Sequence, residues 1–305
     1  MIGTDGSLYG RLITAMVTPF GDDGKIDYKA TEAIANHLFK TGSSAILVCG
    51  TTGESPTLSD EEKIDLLKCV KAVAKGRGKV IFGAGSNDTE KSAKFAALAQ
   101  KEGAEGLLIV APYYNKPNQA GIEAHIKKIA QASTLPLIIY NIPGRTGINI
   151  LPETIVRISE QCPTVHALKD STGSTDQSAE IAGRAPNNFR IYSGDDYLTL
   201  PFLSIGACGV ISVASHVAGE AISGMMAKFF SGDVDGPRTI QYKYLPLFRG
   251  LFAAPNPVPV KYALSKLNLC KENVRLPLVP MSEDEKNVLK QILKDTGVLE
   301  NLSYV

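Results

Sequence analysis

The run TVHALKD, residues 164–170, is mostly apolar until it closes on Lys169 and Asp170. An ammonium is costly to take out of water, so a lysine ending a core strand needs a reason. Nucleophilic chemistry supplies one. A dry cavity disfavours the charged form of a lysine, and the neutral amine can attack a ketone to form a Schiff base. Hydroxyls close other apolar runs: Tyr140 in PLIIYN, Thr51 and Thr52 in GTTGES, Tyr113 and Tyr114 in PYYNKP. Imine formation needs several proton transfers, which such hydroxyls can relay. Other readings stand beside this one. Lys169 could snorkel outward to pair with Asp170, or act as a plain phosphate or carboxylate clamp. Arg145, in the turn PGRTG, suits a bidentate grip on a substrate carboxylate, against the default of a surface arginine. Tyr113 and Tyr114 could be aromatic packing at a subunit contact.

Other polar residues point less sharply. GTTGES lacks the terminal Gly-Lys-Ser/Thr of a phosphate loop, although its backbone donors could hold a carboxylate. The four histidines (37, 125, 166, 216) show no metal-ligand spacing and read as helix-surface or strand-exterior residues. Asp195 and Asp196 read as caps opening the next helix rather than as a cation site. The five cysteines are scattered, with no CxxC pattern, as in a protein with reduced thiols.

These residues need elements to hold them. Eight short apolar runs alternate with amphipathic stretches: 12–20, 45–50, 79–85, 106–112, 136–141, 164–170, 189–195 and 209–215. Several helical stretches open on Asp, Ser or Thr, and SDEE at 59–62 has the capping-box pattern. Alternating strands and helices imply parallel strands with right-handed crossovers, and eight such units predict a (β/α)8 TIM barrel. TPFGDDGKI after the first run is no GxGxxG, which argues against a doubly wound sheet. Residues 233–305 carry no further alternation. They read as a small C-terminal helical appendage packed on a catalytic barrel of residues 1–232. In a barrel of this kind, the polar residues at the run ends converge on one mouth. Period-two parity groups Lys169 with Ala167 and Val165, Tyr140 with Ile138, and Thr51 with Cys49 and Leu47, all toward the interior.

Composition excludes little but bounds the rest. The 305 residues are 44% hydrophobic and 21% charged, with a net charge of +1. Such a balance favours neither nucleic acid nor an anionic membrane. No stretch has the makings of a secretory signal or a membrane-spanning helix, and the expected address is cytoplasmic.

In their order and spacing, GTTGES, PYYNKP, YNIPGRTG, the lysine of the sixth run, SGDD and GVISV resemble the dihydrodipicolinate synthase family. These enzymes are pyruvate-dependent class I aldolases, related to N-acetylneuraminate lyase, and the likeness runs over essentially the whole chain. It implies that Lys169 forms a Schiff base with pyruvate and that Tyr140 donates and accepts protons. Thr51 and Tyr114 would complete a hydroxyl relay, with Tyr114 crossing from a neighbouring subunit. Thr52, the Ile211 backbone and Gly194 of SGDD would hold substrate, and Arg145 the carboxylate of L-aspartate 4-semialdehyde. The resemblance implies no metal or organic cofactor and a homotetramer built as a dimer of dimers. It implies an interface pocket for feedback by lysine as well, in which Ser55, Asn87 and Tyr113 keep the family pattern. There Lys63 and Lys91 replace a histidine and a glutamate, and Asp60 a second histidine, so weak or absent inhibition is expected. Another Schiff-base lyase acting on 2-keto-3-deoxy sugar acids is the alternative, and a catalytically silent barrel that binds a partner is a remote one. GTTGE rather than GSTGE, together with Arg145, favours the synthase branch.

Overall fold

Each strand is short, β-branched and apolar on both faces, as strands covered on both sides must be. A computed structural model describes residues 7–299; the ends of the two-part division, 1–6 and 300–305, lie outside it. The first half alternates β1 (Leu12–Ala15), α1 (Tyr28–Lys40), β2 (Ala45–Val48), α2 (Asp60–Ala74), β3 (Lys79–Gly83), α3 (Thr89–Lys101), β4 (Gly106–Val110) and α4 (Gln119–Gln131). The second half continues with β5 (Leu137–Asn141), a single turn α5 (Pro143–Thr146), α6 (Pro152–Gln161), β6 (Val165–Asp170), α7 (Thr175–Arg184), β7 (Arg190–Ser193), α8 (Thr199–Ser204) and β8 (Gly209–Ser212). All neighbouring strands pair in parallel and β8 closes on β1, giving a closed eight-stranded barrel. Then come α9 (Ser215–Phe230), α10 (Asp235–Gly250), α11 (Val258–Lys266) and α12 (Glu283–Asp295).

The strand period sorts the side chains into two layers. Ile13, Leu47, Ile81, Leu108, Ile138, Tyr140, Ala167, Tyr192 and Ile211 fill the barrel interior. Their neighbours Leu12, Val48, Phe82, Ile109, Ile139, Leu168 and Val210 pack outward under the helices. Parity fails at two expected places. A register shift sits between β5 and β6, where Leu137 pairs Val165 but Ile138 pairs Ala167. Val165 therefore lies in the outer layer, not the interior. Cys49, just past β2, has a left-handed φ of 56° and also packs outward, so parity no longer leads to Thr51.

Helix starts follow the sequence closely. Asp27, Ser59, Asp88, Asn118, Ser174 and Ser282 accept from the backbone N–H three residues on. The Ser59–Glu62 capping box forms in both directions. The first run ends early as a strand, at Ala15, and its tail forms a bridge from Phe20 to Ile26.

Candidate active site

Lys169 and its neighbour in the chain point opposite ways. Asp170 faces outward, where Thr172 N donates to it at 2.7 Å and the Ser178 hydroxyl also donates. This excludes a Lys169–Asp170 pair. Lys169 faces the interior, 6% exposed, in register with Tyr140 on β5 and Tyr192 on β7. Its Nζ lies 4.3 Å from the centre of the Tyr140 ring, itself 5% exposed. The Tyr192 hydroxyl reaches the other end of the barrel, donating to Gly10 O at 2.9 Å, so it closes the floor.

Above Lys169 opens a cavity of about 410 Å³, its mouth included. Thr51, Thr52, Tyr140, Arg145, Lys169 and Gly194 line it, as expected from the run ends. So do Ile142, Ser171, Asp195, Val213, Phe252 and Asn256. Ile211 lies one layer deeper in the barrel interior, and Val213 is the β8-side residue at the wall.

Each lining loop is braced. Gly53 N donates to Gly50 O and Glu54 N to Thr51 O, forming the turn that lifts Thr51 and Thr52. Thr18 Oγ1 fixes that turn by donating to Gly53 O at 2.7 Å. Arg145 is exposed on α5, and the loop behind it is anchored by buried Asn141. That side chain donates to Asn149 Oδ1 and Ile150 O and accepts from Ile150 N. Gly194 is glycine for space: a Cβ there would come within 1.9 Å of Ser171 Oγ.

Carboxylates supply the local charge. Burial pushes Asp195 up to about 6, with the Lys169 ammonium pulling it back and Asp196 and Asp170 adding to the rise. Asp195 precedes a short 3-10 turn, Asp196–Leu198, without capping it. The expected capping role moves to a later helix. Asp196 accepts from Val213 N at 3.0 Å, Ala214 N at 2.9 Å and the Ser212 hydroxyl, at the start of α9.

Tyr114 does not line its own chain's cavity. It is 88% exposed with a φ of 72°, on a loop whose Asn115 donates to Asn87 O at 2.9 Å. Lys63 and Lys91 share one face of the molecule, 5.2 and 6.0 Å from the Phe95 ring centre. Burial pushes Lys63 down, and the Lys91 charge adds to this.

The histidine expectation needs correcting at two positions, because His216 and His125 are buried. Val17 N donates to His216 Nε2 at 3.1 Å, so the proton sits on Nδ1 and is donated to Val213 O at 2.8 Å. Among the described residues no group of three or more His, Cys, Asp or Glu could hold a metal ion.

Sequence reasoning missed Asn256 and Phe252, which come from beyond the barrel. The signal for them was faint: one Asn and one Phe in a Pro-rich turn. Ser171 was in view beside Lys169 but received no role.

Comparisons with known proteins agree with the fold. The model of the dihydrodipicolinate synthetase family matches residues 8–296. A 4-hydroxy-tetrahydrodipicolinate synthase of Thermosynechococcus vestitus is 47% identical over 294 residues, covering 96% of this chain and 99% of that one. The Bacillus subtilis protein of that description is 43% identical over 287 residues, covering 94% and 99%. Among solved structures, a dihydrodipicolinate synthase from Cyanidioschyzon merolae with lysine bound superposes with a TM-score of 0.94. It is 45% identical and covers 95% of this chain and 99% of its own.

Proposed function

The chain belongs to the dihydrodipicolinate synthetase family, and on that premise we propose that its barrel mouth condenses pyruvate with L-aspartate 4-semialdehyde on Lys169. The activity is that of a 4-hydroxy-tetrahydrodipicolinate synthase, a lyase of the diaminopimelate route to lysine. The observation that carries the Lys169 assignment is the buried, in-register pair of Lys169 and Tyr140 at the cavity base, with Nζ 4.3 Å from the centre of the Tyr140 ring.

The chemistry balances with these groups. Lys169 Nζ adds to C2 of pyruvate, and the carbonyl oxygen takes two protons and leaves as water. Loss of a C3 proton gives an enamine, whose C3 attacks the aldehyde carbon; that oxygen takes a proton and becomes the hydroxyl. The amino nitrogen of the second substrate then attacks C2, closing the ring and releasing Lys169. Tyr140 moves the protons, with Thr51 and the Tyr114 hydroxyl of a neighbouring copy as the relay. The high exposure of Tyr114, and its absence from its own cavity, support a shared site in a dimer of dimers. Thr52, Gly194 and the Ile211 backbone hold the keto acid, and Arg145 the semialdehyde carboxylate. The barrel (1–232) and the helical part (233–305) form one catalytic unit, since Phe252 and Asn256 line the cavity. Ser55, Asn87, Tyr113, Lys63 and Lys91 form a separate interface pocket. The proposed setting is the cytoplasm, and among the described residues no helix is long and apolar enough to cross a membrane.

Pyruvate with borohydride should leave one reduced adduct, on Lys169, and inactivate the enzyme. A label on another lysine refutes the mechanism. Mixed subunits of Tyr114→Phe and Lys169→Ala should regain activity in verified hybrids, because one intact site can assemble. No recovery refutes the shared site.

A further inference from the structure

Asn256 reaches the cavity from the connection between α10 and α11, 204 residues away from the threonine it touches. Its Nδ2 donates to Thr52 Oγ1 at 3.0 Å. Its other polar atom, Oδ1, is buried without a hydrogen-bond partner, although the residue lines the cavity with Lys169 and Tyr140. The side chain is 8% exposed. A buried acceptor left unpaired is expensive unless something fills it.

The position is firmly held on both sides. Glu54, two residues after Thr52, forms a fully buried ion pair with Lys261, five residues after Asn256. Lys261 also donates to Asn273 O at 2.8 Å, and Arg275 N donates to Glu54 at 3.0 Å. The threonine loop and the asparagine loop are thus clamped together from behind, and the Asn256–Thr52 bond forms where the clamp meets the cavity.

Two consequences follow from hydrogen-bond inventory. Thr52 Oγ1 accepts from Asn256, so its own hydrogen is left to donate elsewhere, and the cavity side offers a substrate carboxylate. Asn256 Oδ1 needs a donor. Pyruvate, with a ketone and a carboxylate, carries none, whereas the second substrate has an amino nitrogen. We infer that Asn256 is a specificity-determining residue that turns the Thr52 hydroxyl toward the keto acid and receives the amino nitrogen of the semialdehyde on Oδ1. This rests on the proposed reaction and adds to it a residue that selects an amino aldehyde over a plain one.

The test compares L-aspartate 4-semialdehyde with 4-oxobutanoate, which lacks only the amino group. In the unsubstituted enzyme the Ki of 4-oxobutanoate should exceed the KM of the semialdehyde by roughly tenfold or more, as a hydrogen bond to a charged group implies. Asn256→Ala should bring the two within about threefold and raise the KM for pyruvate, while pyruvate and borohydride still label Lys169. Asn256→Asp has the same shape and keeps an acceptor but not the donor. It should preserve the discrimination and still raise the KM for pyruvate. Full discrimination in Asn256→Ala, or its loss in Asn256→Asp, overturns the inference. If the unsubstituted enzyme gives no Lys169 adduct, the proposed reaction itself fails; an adduct with unchanged discrimination in Asn256→Ala sinks only the role of Asn256.

Discussion

Replacing Lys261 with methionine would remove one member of the buried ion pair and leave Glu54, equally inaccessible, without its ammonium. The pair is not held by attraction alone. Burial pushes Lys261 down although the Glu54 carboxylate beside it acts the other way, so desolvation outweighs the contact. Such a pair adds little net stability over a well-packed apolar substitute, but a half-pair is costly. Loss of one partner from a buried pair typically costs about 3–5 kcal/mol. At about 2 °C per kcal/mol, toward the lower end for a chain longer than 250 residues, Tm should fall by roughly 6–10 °C. The backbone N–H of Arg275 still donates to Glu54, which favours the lower figure. Replacing both residues, Glu54→Leu with Lys261→Met, removes the stranded charge and should restore more than half of the loss. Arg184→Ala, at the exposed pair with Glu180, is the control and should cost at most about 1 kcal/mol. Thermal melts of the four proteins decide the matter. A Lys261→Met shift no larger than the control, or a double variant worse than the single, refutes the reasoning. Because the pair braces the threonine loop, Lys261→Met should also raise the KM for pyruvate.

A second prediction concerns His216, which burial pushes down to about 4 from 6.5. Between these values the unfolded chain holds more protons than the folded one, so stability falls as pH drops through the window. The loss from this group between pH 7 and pH 5 should be about 2 kcal/mol, and His216→Gln should lack it; equal losses in both proteins would rule the histidine out. A third concerns lysine feedback. Two ammoniums beside Phe95 repel a lysine side chain by about 1 kcal/mol or more, so half-inhibition should need millimolar lysine or above. Lys91→Glu should lower it by about tenfold; sub-millimolar inhibition of the unsubstituted enzyme overturns the expectation.

The barrel was legible because period two and capping chemistry are local. Ser59 and Glu62 meet within one turn, and Ile138 and Tyr140 share a face by geometry alone. Parity misled wherever the backbone left the strand conformation. The register shift beside β6 sent Val165 outward, and the left-handed Cys49 ended the count toward Thr51. Thr51 reaches the cavity all the same, by the turn after Gly50. His216 was misjudged because a helix start facing a barrel rim is buried by what packs on it, which no local pattern records. Asn256 was invisible for a similar reason: its contact with Thr52 depends on where the α10–α11 connection lands.

The register also shows why a lysine is tolerated at a strand end. One residue further, Asp170 takes the outward face and spends its charge on Thr172 N and Ser178, so it does not neutralise Lys169. One strand away on either side stand Tyr140 and Tyr192, whose rings exclude water beside the amine. Asp195 and Asp196 lie close enough to feel the charge of Lys169, yet Asp196 is committed to the backbone at the start of α9. Among the described residues no carboxylate forms a salt bridge with Lys169, so its nitrogen stays open to a ketone entering from above. Substituting Lys169 alone removes the nucleophile; moving it to position 170 would turn it to the outer layer, away from this cavity. Between positions 169 and 170 the alternation holds, and it ties the chemistry of this barrel to the placement of one residue on one strand.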